Sequence, residues 1–404
     1  MGNTNNKINK YSRRQYSSQC SLSSIISGGC TGTTESIYEE YRPLSRISRR
    51  AWTEGTLNDP LSSSKTVWPV PKFEAIFLPE FKVRERPINN DYNFIKFIAK
   101  GAYGRVFKVK DKVTGNIYAL KVICKSRIIE ENAVEQVKQE VAIQKAVSHH
   151  PFIVHSCHHW QGRKTLYMLT EYVNCGELYY LIREYEKLPE EVVRIYVAEL
   201  ALAIDFLHNA GIVHRDLKST NVLLDNEGHA VLIDFGLAKW LRPLHRTNTF
   251  CGTQEYMAPE IVRREYYGHE VDWWSLGVLT CVLLTNKFPI TLTEKSIEDN
   301  GRSITPGALP EGIEISKGAE DLLKKLLQPD PRARLRSLFA LQRIAFFMGH
   351  DIQSFMSKKI SPFKLLGRKI GHSVQLHETE CNGILNDLQS SNGNVHHKTN
   401  QLIN

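Results

Sequence analysis

The chain has 404 residues, 42% of them hydrophobic and 24% charged, the balance of an ordinary globular protein rather than of a disordered or fibrous one. No apolar run approaches the about 18 residues of a membrane-spanning helix. The 8 cysteines are scattered with no CxxC pair, which argues against zinc ribbons and disulfide frameworks and favours a reducing compartment. Lys and Arg number 52 against 43 Asp and Glu, a formal net charge of +9 that favours acidic partners such as phosphates, anionic membrane or nucleic acid without choosing among them.

Residues 1–65 are crowded with Ser, Thr, Asn and Gly and show no apolar period. Such a segment cannot bury enough surface to offset its ordering entropy, and disorder is expected. The start lacks the apolar core of a signal peptide. Residues 66–90 differ: Val67, Trp68, Phe73, Phe77 and Phe81 are punctuated by Pro69, Pro71 and Pro79. This reads as an irregular extended strap docked on a folded body.

Three β-branched or aromatic runs follow, 93–98, 105–110 and 116–122, separated by Gly101 and Gly104 and then by 111–115. They predict a strand meander. Residues 131–147 carry Val134, Val137, Val141 and Ala142 at helical spacing. Two more apolar runs, 152–155 and 165–172, precede the clearest helix, 189–209. Pro189 opens it, Glu190 and Glu191 suit its first turn, and Gly211 follows its end. The expected class is α+β, with a small β-rich lobe (91–172) before a larger α-rich lobe (173–349). Residues 350–404 turn polar and read as a tail, mobile from 372 onward.

Four motifs in one order carry the chemistry. Gly101-Ala102-Tyr103-Gly104-Arg105-Val106 between two strands lets backbone approach a phosphate closely; alone it is an ordinary glycine hairpin. Tyr118-Ala119-Leu120-Lys121-Val122 places a lysine in an apolar strand, where its charge needs a partner. Glu140 is the natural one and Glu135 the alternative, because pairing with Glu140 leaves one extra residue before His150. His214-Arg215-Asp216-Leu217-Lys218-Ser219-Thr220-Asn221 offers a carboxylate to accept a hydroxyl proton, a lysine to stabilise a phosphoryl group and an amide for a metal. Asp234-Phe235-Gly236 adds an oxygen ligand for Mg2+. With Ala258-Pro259-Glu260 downstream, chance co-occurrence is remote.

This ensemble resembles the eukaryotic protein kinases over about 91–349. Thr247 to Glu260, His150-Pro151-Phe152-Ile153-Val154 and Val271-Asp272-Trp273-Trp274 are similar to signatures of the AGC group of Ser/Thr kinases, and the ribosomal protein S-six kinase-like branch is the nearest match. The resemblance implies a bilobal kinase fold and transfer of the ATP γ-phosphate to Ser or Thr hydroxyls of protein substrates, with ATP and Mg2+ as cofactors. It implies a cytoplasmic signalling role and an upstream kinase acting on Thr249. Residue by residue, it makes Asp216 the catalytic base. Lys218 neutralises charge at the γ-phosphate. Lys121 binds the α/β-phosphates and pairs with Glu140, and Asn221 and Asp234 hold Mg2+. Ala99, Gly101 and Gly104 belong to the glycine loop. Val106 and Ala119 would lie above the adenine and Leu223 below it. Thr170 is the gatekeeper, Glu171 and Val173 offer hinge backbone groups, and Glu177 meets the ribose. Glu260 and Arg334 form a buried pair.

The chain departs from that pattern in three respects, and its N-terminus adds a further feature. Ala99 replaces the usual first glycine. Thr220 and Val282 stand where basophilic members carry acids, so selection for arginine upstream of the acceptor is expected to be weak. The C-terminal FxxF motif that docks on the small lobe of relatives has no match in 358–404, and the strap 73–81 is a candidate substitute, plain packing being the simpler reading. Lastly, Met1-Gly2-Asn3-Thr4-Asn5-Asn6-Lys7 resembles a myristoylation signal except at Asn6. With Lys7, Lys10, Arg13 and Arg14, and with Cys20 or Cys30 as further acylation sites, it allows weak association with an anionic membrane. No specific nucleic-acid partner is expected. Competing readings are a pseudokinase scaffold, opposed by the complete set Lys121, Asp216, Asn221 and Asp234, and a small-molecule kinase, opposed by the Thr249–Thr253 and Ala258–Glu260 docking platform.

Overall fold

The computed structural model describes residues 72–373, except 85, 102, 243–244 and 293–304. All of them belong to one compact unit, 44–404. The expectations for 1–71 and 374–404, Gly2 and the N-terminal basic cluster included, lie outside the described residues.

The strap opens with one helical turn, α1 (Lys72–Ala75), and ends as a two-residue strand, β1 (Lys82–Val83). It is therefore wound rather than extended. Phe77 N–H donates to Glu74 O and Phe81 N–H to Phe77 O, so the aromatic residues 73, 77 and 81 follow a helical spacing of four. The meander is β2 (Tyr92–Lys100), β3 (Gly104–Asp111) and β4 (Ile117–Cys124). A short helix that the apolar spacing does not predict, α2 (Lys125–Glu130), precedes the helix expected over 131–147, which is α3 (Val134–Val147). Between them Asn132 has φ +52°, the left-handed conformation that asparagine tolerates better than most residues.

β5 (Ser156–Gln161) and β6 (Thr165–Glu171) complete the sheet, in the order β1-β5-β6-β4-β3-β2. Only β1, parallel to β5, breaks the antiparallel pairing. Each face has its own core. Leu120, Val122, Tyr167 and Leu169 lie in one cluster. Their strand neighbours Ile123, Leu166 and Met168 lie in the other, against α2, α3 and the strap. Strand alternation places Ala119, Lys121 and Thr170 on this second face. The run 152–155 is no strand of the sheet. It pairs Ile153 with Leu232 of the second lobe, and Val154 N–H and Phe152 O bracket Leu232 by hydrogen bonds.

The larger lobe is built on α4 (Leu178–Tyr185), the buried α5 (Glu190–Asn209), α6 (Pro259–Val262), α7 (Glu270–Thr285), α8 (Lys317–Leu326) and α9 (Leu338–Gln342). Four short strands in two pairs set its loops: β7 (Ile212–Val213) pairs with β10 (Lys239–Trp240), and β8 (Val222–Leu224) with β9 (Ala230–Leu232). α7 is apolar all round because it is buried all round. No helix among the described residues is long and apolar enough to cross a membrane.

The first part of the polar tail is folded against this lobe. Ile352 and Phe363 are buried, and α10 (Pro362–Leu365) is capped by Ser361. Ser361 Oγ donates to Glu227 O at 2.7 Å, and Lys358 Nζ reaches Asp225 Oδ2 at 2.9 Å. Phe363 also explains Gly228, where a Cβ would sit 2.4 Å from its ring. A few apolar anchors thus dock a stretch whose average composition is polar.

Arg334 grips Glu260 with two hydrogen bonds, Nη1–Oε1 at 2.6 Å and Nη2–Oε2 at 2.9 Å, and donates further to Gln328 O and Glu270 O. Both side chains are essentially inaccessible. Removing one partner strands a buried charge, so Glu260→Ala should lose about 3–5 kcal/mol of unfolding free energy in urea denaturation. A loss under about 1 kcal/mol, the value of an exposed pair, would contradict this assignment.

Candidate active site

The lysine of β4 has the partner its burial requires. Lys121 Nζ lies 2.6 Å from Glu140 Oε1 on α3, which settles the choice between Glu140 and Glu135. Burial alone would depress the Lys121 ammonium, but Glu140 and then Asp234 outweigh it and hold it above the usual lysine range. α3 also reaches the second lobe, where Gln136 Nε2 donates to Gly236 O at 2.8 Å. Glu140 and Gln136 share one face of the helix, so a single helix fixes both Lys121 and the Asp234 loop.

Gly101 N–H donates to Gly104 O at 2.8 Å across the turn between β2 and β3. At Gly104 a Cβ would stand 2.3 Å from Val122 O, so the close approach of β3 to β4 admits only glycine there. Ala99 is an exposed end-of-strand residue paired with Val106. Val106 faces Lys121 across the ladder, and Ala119 faces Thr170. Val106 and Ala119 are half-exposed while their neighbours Phe107 and Leu120 are buried. Leu223 stands likewise between buried Val222 and Leu224, and an isolated bridge joins it to Glu177. These apolar, accessible surfaces are what a planar ring needs above and below it. Thr170 is the penultimate residue of β6, which exposed Glu171 ends, and half-buried Val173 follows. The Glu171 N–H is taken by His155 O. Burial pushes the Glu177 carboxyl up against the pull of Lys218.

The loop after β7 gathers the polar groups. Asp216 Oδ1 accepts from Thr253 Oγ1 at 2.7 Å, and Oδ2 accepts from Asn221 Nδ2 at 2.9 Å. Lys218 Nζ lies 2.9 Å from Asp216 Oδ2 and donates to Thr253 Oγ1 at 2.7 Å. Asn221 Nδ2 also donates to Asp216 O at 2.8 Å. With that nitrogen committed, the amide oxygen is the atom Asn221 can offer a metal. Asp234 takes φ +62° and accepts from Gly236 N–H at 3.2 Å. Burial raises its pKa, yet Lys121, Gly236 N–H, His214 and Lys218 together hold it below the ordinary aspartate value. One carboxylate and one amide oxygen suit a hard divalent cation that keeps waters and phosphate oxygens as its other ligands. Among the described residues no cluster of three or more His, Cys, Asp and Glu could hold a metal by itself.

The positioning residues were less visible in the sequence. Asp272, fully buried on α7, accepts from Arg215 N–H at 2.8 Å, His214 N–H at 2.9 Å and His208 Nε2 at 2.8 Å. Burial opposes its ionisation, but His208 and His214 outweigh that and hold it below the usual range. It anchors a loop in which Arg215 has φ +69°, a conformation that persists only where its surroundings enforce it. The signal was an aspartate inside the apolar run Val271–Leu284. Thr249 lies apart from this cluster. Its Oγ1 is 3.1 Å from Thr247 Oγ1, which accepts from Lys239 Nζ at 3.1 Å, and its carbonyl accepts from Tyr267 Oη at 2.6 Å. Arg215 Nη1 reaches that same Tyr267 hydroxyl at 3.4 Å.

Comparison with known proteins agrees with this geometry. The family model "Protein kinase domain" matches residues 92–346. The chain is 40% identical over 274 residues to a RAC family serine/threonine-protein kinase homolog of Dictyostelium discoideum, covering 67% of this chain and 61% of that protein. It is 38% identical over 287 residues to the human ribosomal protein S6 kinase-related protein, covering 70% and 68%. Against the serine/threonine-protein kinase AtPK1/AtPK6 of Arabidopsis thaliana it is 36% identical over 277 residues, covering 68% and 59%. The chain thus spans between about three fifths and two thirds of the length of these curated relatives.

Asp272→Asn leaves one acceptor oxygen where three donors converge. A loop displaced by about 1 Å costs on the order of 100-fold in rate. We expect kcat for the transfer proposed below to fall by that factor, with near-ultraviolet circular dichroism unchanged. A wild-type kcat would show that Asp272 does not position the loop.

Proposed function

Because the chain belongs to the protein kinase family, within its AGC group of Ser/Thr kinases, we propose that it is itself an Mg2+- and ATP-dependent protein serine/threonine kinase. The observation that carries this reading is the closed network of Asp216, Lys218, Asn221 and Thr253, with Asp234 beside Lys121.

Asp216, held by Thr253 and Asn221, orients the acceptor hydroxyl and takes its proton as the oxygen bonds to the γ-phosphorus and the bond to ADP breaks. Lys218 balances the charge that develops on the transferred group, and Lys121 fixes the α/β-phosphates. Asn221 and Asp234 would hold Mg2+, which would neutralise phosphate charge when bound. Protein substrates are the proposed acceptors. Val282 is buried in the core and Thr220 carries no charge, which supports weak selection for an upstream arginine. A cytoplasmic setting, with weak membrane association through the N-terminus, completes the reading.

Phosphate incorporation from labelled ATP into a degenerate Ser/Thr peptide library tests it. Asp216→Asn should lose about 10²–10⁴-fold in rate, and Asp234→Ala should be silent, both with unchanged circular dichroism. Substantial transfer by purified Asp234→Ala would overturn the mechanism.

Thr249 is the proposed activating site of an upstream kinase. A phosphate there adds about −1.5 to −2 charge at pH 7, beside Lys239 and Arg215, which already contact Thr247 and Tyr267 around it. Thr249→Ala and phosphatase treatment should each lower kcat. Full activity in both would place the switch elsewhere.

A further inference from the structure

The strap makes more specific contacts than plain packing requires. Phe77 and Phe81 are wholly buried between α2, α3 and the sheet, against Ile128, Val137, Val141 and Met168. Their rings meet edge to face, with centroids 6.4 Å apart. Gln161 on β5 holds the strap at both ends: Nε2 donates to Glu74 O at 2.9 Å and to Phe81 O at 2.7 Å, and its backbone O accepts from Arg84 N–H. Buried Lys125, at the start of α2, donates to Gln161 Oε1 at 2.6 Å and lies 5.3 Å and 5.4 Å from the centroids of Phe73 and Phe77. On α3, Lys138 Nζ lies 3.3 Å from Glu80 Oε2, and Lys145 Nζ donates to Glu80 O at 3.4 Å.

These contacts fall on the same helix that serves the active site. Val137 and Val141 meet the strap, while Gln136 and Glu140 meet Gly236 and Lys121. Tyr103 of the glycine loop packs against the same cluster. An α3 that lost the strap would lose its apolar support on one side, and Glu140 could no longer be held at 2.6 Å from Lys121 by packing alone. Separated in this way, Lys121 and Glu140 would each carry an uncompensated charge, a cost that is relieved only as water reaches them when the helix moves outward.

We propose that residues 73–84 are a cis-acting clamp that sets catalytic activity: docked, they hold α3 so that Glu140 meets Lys121 and Gln136 meets Gly236. When they are undocked, α3 is released and phosphoryl transfer falls. The clamp rests on the kinase reading above but deepens it with a control element supplied from before the domain rather than after it. Its surface latch is the pair of Glu80 and Lys138.

The test uses the full chain, with kcat/KM for ATP and amide hydrogen exchange measured in parallel. Phe77→Ala with Phe81→Ala should lower kcat/KM by about 100-fold. Exchange should quicken across 134–147 and stay unchanged across 190–209. A synthetic peptide of residues 72–84 added in trans should restore at least half of the activity and the protection of 134–147. Glu80→Lys, which leaves the apolar contacts intact, should lower kcat/KM about fivefold, and adding Lys138→Glu should recover it. Wild-type activity and exchange in the double-Phe variant would overturn the clamp. Should that variant unfold throughout, a Glu80→Lys protein with undiminished activity, or one not rescued by Lys138→Glu, would overturn it instead. If the wild-type chain transfers no phosphate, the kinase reading fails, and the exchange data alone decide whether the strap holds α3.

Discussion

One ion pair organises the molecule. Lys121 and Glu140 are both largely withdrawn from water, and each alone would carry a desolvation penalty of several kcal/mol. Together at 2.6 Å they couple the sheet to α3. Neither element fixes the distance alone. β4 is held by its ladders to β3 and β6. α3 is held by the aromatic cluster on one side and by Gly236 on the other. The pair is thus the point where the strap, the sheet and the Asp234 loop meet.

The second lobe meets a similar constraint with one acid. Asp272 gathers two loop N–H groups and an imidazole. That allows Arg215 to sit at φ +69° and Asp216 to face Thr253, Asn221 and Lys218. Asp234, at φ +62°, is reached from β9, which the 152–154 segment stitches to the smaller lobe through Leu232. Two left-handed non-glycine residues at the two functional loops place the backbone strain where surrounding hydrogen bonds enforce it.

The catalytic groups were legible because their chemistry is local. Asp216, Lys218 and Asn221 lie within six residues of one another, and Asp234 follows a short strand. Lys121 was legible as a charge in an apolar run, and its partner only as Glu140 or Glu135, five residues apart on one helix. What stayed hidden was tertiary. Asp272 acts on a loop more than fifty residues earlier in the chain, and nothing local marks that reach. The break at Asn132 needs a left-handed residue that is neither Gly nor Pro. The strap carried three prolines within eleven residues, which masked the four-residue spacing of Phe73, Phe77 and Phe81. The tail read as polar because its anchors, Ile352 and Phe363, are few and widely separated.

The most direct measurement is the effect of Glu140→Gln on steady-state phosphoryl transfer from ATP. The amide keeps the size and hydrogen-bonding reach of the carboxylate but removes the charge that holds Lys121 in place. If the pair organises the site, kcat/KM for ATP falls by about 100-fold, and the urea midpoint falls as well, because the amide leaves the Lys121 ammonium without its carboxylate, while near-ultraviolet circular dichroism stays unchanged. A Glu140→Gln protein with wild-type kcat/KM would contradict the account at its centre.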